Sequence, residues 1–178
     1  MNNADELQTS ITRKNFLSKS FLAAAGILTI PNFLLAQQKD KPPAIKPEIV
    51  NEFVKIAHTD FSKVKQMLNE HPMLLNAAWD WGGGDFETAI GAAGHMGLKD
   101  TANYLLDRGA RADIFVLTML GKTEIVKSLL IEYPVLLNSA GPHGFTLLQH
   151  AEKGGKESEE LYKHLQELGL NEKHRKIF

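Results

Sequence analysis

From Pro47 onward, apolar residues come in short bursts at helical spacing, separated by Gly, Pro, Asn or Asp. Ile49, Val50, Phe53, Ile56 and Ala57 share one face, and Asp60 is placed to cap a second helix carrying Phe61, Val64 and Leu68 that stops at His71-Pro72. Ile90, Ala92 and Ala93 open a second unit, whose partner helix carries Tyr104, Leu105 and Leu106 and ends at Gly109. Asp113 leads into Ile114-Phe115-Val116-Leu117, followed by Ile125, Val126, Leu129 and Leu130. Leu147, Leu148 and Ala151 begin the last unit, and Tyr162, Leu165 and Leu168-Gly169 end it, with a turn expected at Gly154-Gly155. Bursts this short predict an all-α chain of about four helix-turn-helix units rather than a few long helices. Their expected bounds are 47–79, 80–113, 114–140 and 141–170, with 171–178 as a C-terminal tail.

The stretch Gly84-Asp85-Phe86-Glu87-Thr88-Ala89-Ile90-Gly91-Ala92-Ala93-Gly94-His95-Met96-Gly97, followed by Tyr104-Leu105-Leu106-Asp107-Arg108-Gly109-Ala110, resembles an ankyrin repeat. Thr88, Ile90, Ala93, Gly97, Leu105, Leu106, Gly109 and Ala110 match that family's pattern, while Ala89 stands where its Pro falls and Gly91 where its His falls. Gly144-Phe145-Thr146-Leu147-Leu148-Gln149-His150-Ala151 repeats the pattern, with Gln149 at the His position. The resemblance implies a solenoid of stacked helix pairs with short β-hairpin-like finger loops, and a protein-binding, non-catalytic role. Thr88 is expected to use its hydroxyl at the start of its helix. Between the second and third units the spacing is too short for a full finger.

The first 36 residues read as an export signal. Thr12-Arg13-Lys14-Asn15-Phe16-Leu17 resembles a twin-arginine motif with Lys14 in the second arginine position, and the moderately apolar run from Phe21 to Ala36 follows it. The resemblance implies export of a folded protein to the periplasm; an uncleaved membrane anchor is the alternative. Residues 37–46, with Pro42 and Pro43, read as an extended linker. With no Cys in the chain, neither a disulfide framework nor a thiolate nucleophile is available. A net charge of −1 gives no basic stripe for nucleic acid.

Candidate contacts concentrate in the finger at 76–87. Trp79, Asp80, Trp81, Asp85 and Phe86 surround Gly82-Gly83-Gly84, a composition suited to gripping a partner, and His143 joins them as a contact on the later finger. The expected partner is a protein and the expected state a monomer. Of the Trp79 and Trp81 rings, one is expected buried and the other exposed. The second functional class is a small-ligand binder or hydrolase using the same loop. Asp80, Asp85 and Glu87 could hold a hard cation, but their spacing fits no calcium loop. His58, His71, His95 and His143 lack the local spacing of a metal motif. No Gly-x-Ser-x-Gly elbow or phosphate loop occurs, so the sequence reading assigns no metal, cofactor or catalytic residue.

Overall fold

Asp60 and Thr88 cap their helices as anticipated from sequence. In the computed structural model, which describes residues 42–177, α1 (Pro47–Ile56) begins at a proline in its first turn, and α2 (Phe61–Glu70) at Asp60, whose carboxylate accepts the Lys63 N–H at 2.9 Å. Thr88 Oγ1 accepts from Gly91 N to open α3 (Ala89–Met96), and Asp113 accepts from Val116 N to open α5 (Ile114–Met119). Each cap satisfies one amide that the first turn leaves without an intrahelical acceptor. The remaining helices are α4 (Lys99–Asp107), α6 (Thr123–Glu132), α7 (Leu147–Gly154) and α8 (Glu159–Glu167).

From Ile45 the chain forms one unit that is mainly helical. The short helices lie in chain order, α1 against α3, α3 against α5 and α5 against α7, and α2, α4, α6 and α8 pack on them. Gly91, Ala92, Ala93 and Gly94 on α3 are all buried. A Cβ at Gly94 would lie 3.1 Å from Val116 Cγ2, so the small residues are what lets α3 and α5 approach so closely. Two apolar clusters result. Phe53, Val54, Leu74, Ile90, Leu105, Val116 and Met119 lie in the first, and Phe115, Val126, Leu147, Leu148, Leu161 and Leu165 in the second. α5 contributes to both.

The finger expectation holds once. β1 (Ala78–Asp80) pairs antiparallel with β2 (Phe86–Thr88), in the register Ala78↔Thr88, Trp79↔Glu87 and Asp80↔Phe86. No strand pairing forms between α4 and α5, which are joined by only Arg108 to Asp113. The later finger is built from 3-10 turns at Pro134–Asn138 and Pro142–Gly144 instead of a hairpin. Gly154-Gly155 is also tighter than expected, with α7 running through Gly154 into a 3-10 turn at Gly155–Ser158.

Residues 171–177 fold back. Thr146 N donates to Lys173 O, Thr146 Oγ1 to Glu172 O and Arg175 N to Gly144 O, while the Arg175 guanidinium reaches Asn138. This C-terminal strap fastens the loop that carries His143. Among the described residues no helix is long and apolar enough to cross a membrane. The export-signal reading at 1–36 lies outside the described residues, as do the first five positions of the linker.

Candidate functional site

The hairpin aims one carboxylate inward. Asp80 Oδ1 accepts from Gly82 N and Gly84 N at 2.9 and 3.2 Å, and Trp81 N donates to Asp85 O at 3.0 Å, closing a turn in which Gly82, Gly83 and Gly84 all have positive φ. Three such conformations in succession are the reason for the glycine run. Beyond the turn, strand alternation sends Phe86 to solvent and Glu87 into the protein, where 1% of Glu87 is accessible.

Three histidines from separate segments meet this carboxylate. His95, in the last turn of α3, places Nε2 2.7 Å from Glu87 Oε1. His58, just past α1, and His143, in the 3-10 turn before α7, each place Nε2 3.4 Å from Glu87 Oε2. Trp81 Nε1 donates to that same Oε2 at 2.8 Å. One donor atom from each of His58, Glu87, His95 and His143 lies within 4.8 Å of every other. Phe145 and Trp81 wall the cluster, with ring centroids 5.1 Å from His95 and 5.8 Å from His143.

Hydrogen bonding on the far side of two rings fixes which nitrogen faces inward. His58 Nδ1 lies 3.0 Å from Val54 O and 3.1 Å from Lys55 O, and a carbonyl can only accept, so Nδ1 carries the proton. His143 is held by both oxygens of Asp85, which accept from its backbone N at 2.9 Å and from Nδ1 at 2.8 Å. In the neutral tautomer both rings therefore turn an Nε2 lone pair toward a carboxylate oxygen. Lone pairs facing an anion call for a cation between them, either a proton on the ring or a metal ion. Grips by backbone carbonyl and carboxylate on the outer nitrogen are also how metal-binding imidazoles are oriented.

Burial alone would raise the Glu87 carboxyl above the ordinary range, but the His95 hydrogen bond, the neighbouring imidazoles and the Trp81 N–H outweigh it and hold the group below that range. His143 has φ 58° with no glycine to ease it, and the two-point grip of Asp85 holds it there. Such a conformation costs of order 1–3 kcal/mol and is kept where the surroundings over-determine it.

The expected contact residues divide. Trp79 and Trp81 are both half-buried and both pack against the first apolar cluster, so the expectation of one buried and one exposed ring is corrected. Residues two apart in an extended segment share a face, so both rings turn to the same side. Asp80 is used within the turn, Asp85 holds His143, and Glu87 is the buried centre, so the three carboxylates do not converge on one ion. Phe86 is the one large side chain of the finger left open, 62% exposed. His143 belongs to the cluster rather than to an outer contact surface. His58 and His95 were missed because each looks like an isolated turn residue. The usable signal was that His58 and His95 both fall at the C-terminal end of a short helix, α1 and α3.

No match emerges from comparison with family models, curated proteins or solved structures. The chemistry of the site therefore rests on its own donor set. Imidazole nitrogens with one carboxylate suit zinc and the other divalent first-row transition metals better than calcium or magnesium, which favour oxygen shells.

Proposed function

We propose that this chain is an exported helical-repeat protein of the ankyrin type that holds one divalent transition-metal ion, zinc by donor chemistry, among His58, Glu87 and His143. The observation that carries this reading is the pair of imidazole Nε2 atoms at 3.4 Å from one buried carboxylate oxygen. Donors bound to zinc at about 2.0–2.1 Å stand roughly 3.3 Å apart in a tetrahedron, which matches both of these separations. The capped helix pairs, their side-by-side order and the small residues of α3 support the repeat reading.

Calorimetric titration of the metal-free full chain with zinc tests it. One ion per chain is expected, with binding lost in His143→Ala and in Glu87→Gln while far-ultraviolet circular dichroism stays unchanged. Absence of binding by the wild type, or full binding by both variants, would overturn the reading. Export is tested separately, since the full chain should remain cytoplasmic in cells lacking the twin-arginine machinery.

A protein-binding role for the finger is kept as a second reading because Phe86 projects from the hairpin at 62% exposure. Crosslinking in the periplasmic fraction with wild type and Phe86→Ala distinguishes the two readings. A companion lost with Phe86 but kept in His143→Ala would separate partner binding from the metal.

A further inference from the structure

The donors around Glu87 are not equivalent. His58 Nε2 and His143 Nε2 both stand 3.4 Å from Oε2, close to the edge of a zinc tetrahedron, about 3.3 Å. His95 Nε2 is instead 2.7 Å from Oε1, a hydrogen-bond distance to the other oxygen of the carboxylate. A ring at that distance is engaged with the ligand rather than with the ion. Three protein donors are then left for the metal, and tetrahedral coordination leaves one vertex unfilled by protein.

Accessibility shows where that vertex lies. The Glu87 and His95 side chains are 0% and 5% exposed and form the floor, while His58 and His143 are 21% and 31% exposed and form the rim. An ion on Oε2 between the two rim imidazoles has solvent on its outer side, beside the Trp81 indole. A floor carboxylate buttressed by His95 and Trp81, with rim ligands steadied through their outer nitrogens, is a preorganised three-ligand site. Structural zinc sites close all four positions with protein, and reactive ones keep one open.

We infer that the metal centre is open at one vertex and there binds water or a small anionic oxygen ligand such as a carboxylate or hydroxamate, with His95 acting as a positioning residue for Glu87. This inference rests on the metal reading proposed above. Water in that position becomes acidic enough to ionise near neutral pH, which makes the centre a Lewis acid facing solvent rather than a buried staple.

Cobalt(II) gives the test, because its visible absorption reports coordination number where zinc is silent. The full chain is loaded with cobalt alone and then titrated with acetohydroxamate. One cobalt per chain is expected, followed by a saturable change in the visible bands as the hydroxamate enters the open position. His95→Gln should still load one cobalt and respond to hydroxamate, with metal affinity lowered about 10–100-fold, as for loss of an outer-shell partner. If cobalt binds but hydroxamate leaves the bands unchanged, and His95→Gln loses cobalt as completely as His143→Ala, then His95 is the fourth ligand and the open vertex is refuted while the metal reading stands. If the wild type takes up no cobalt and no zinc, both fall.

Discussion

Beneath the candidate centre His150 carries a measurable stability cost in acid. Its ring is 1% exposed on α7, Nδ1–H donates to Thr146 O at 2.8 Å, and Nε2 has no partner. Burial, opposed by the Thr146 hydrogen bond and reinforced by neighbouring His95, pushes its pKa down from 6.5 to about 4. A base whose folded pKa lies below its unfolded value binds its proton more readily in the unfolded chain. Stability from this group is therefore complete above pH 6.5 and falls as pH drops from 6.5 toward 4. Evaluated at pH 4.5 against pH 7.5, the linkage relation gives a loss of about 2.5 kcal/mol from His150 alone. Leu fills nearly the same volume without a titrating group, so the comparison of His150→Leu with wild type isolates the term. Urea unfolding in EDTA at pH 7.5, 6.0, 5.0 and 4.5 would read it. The wild type should lose about 2.5 kcal/mol more than the variant across that range, whatever the absolute cost of the substitution. Parallel loss in the two proteins would refute a buried neutral imidazole here.

Three further outcomes follow from the packing. Trp81→Phe keeps an aromatic ring but deletes the N–H that donates to Glu87 Oε2; zinc calorimetry should show affinity reduced about 10–100-fold, with the helical signal unchanged. Ala93 is 0% exposed on α3, so Ala93→Leu should overpack its neighbours by roughly 1–3 kcal/mol in urea melts. Gly144 has φ 78° and a Cβ there would run into Arg175 O of the strap, so Gly144→Ala should cost of order 1–3 kcal/mol and speed hydrogen exchange at Arg175. Unchanged exchange there would show that the strap does not depend on this close approach.

Local chemistry made the helices legible. Asp60, Thr88 and Asp113 are caps whose side chains reach only three residues along the chain, so no knowledge of the fold is needed to place them. Burial of Ala92 and Ala93 could also be anticipated, because small residues beside a repeat pattern imply close helices. The cluster was hidden for the opposite reason. Glu87 and His95 are eight residues apart, but Asp85 and His143 are separated by 58, a distance that only the lateral order of the helices closes. His143 also adopts a left-handed conformation that its residue type does not advertise. Trp79 and Trp81 do not divide into one buried and one exposed ring, because residues two apart in an extended segment share a face.

Metal linkage joins these observations, because the proposed ligands come from three distant parts of the chain. His58 follows α1, Glu87 is on β2, and His143 precedes α7, so an ion held by all three crosslinks segments that unfolding would separate. Binding to the native state alone stabilises by RT ln(1 + [L]/Kd), about 2.7 kcal/mol when free zinc is 100 times the dissociation constant. At pH 7.5 that increment should appear in urea melts and be removed by EDTA. Zinc needs the Nε2 lone pairs that protons also occupy, so the increment should shrink at pH 5 at the same zinc concentration. His143→Ala should show little increment at either pH, while Ala93→Leu, which replaces no ligand, should lose stability yet keep the full zinc response. An equal increment at both pH values, or one that survives His143→Ala, would mean that zinc stabilises the fold from somewhere other than this cluster.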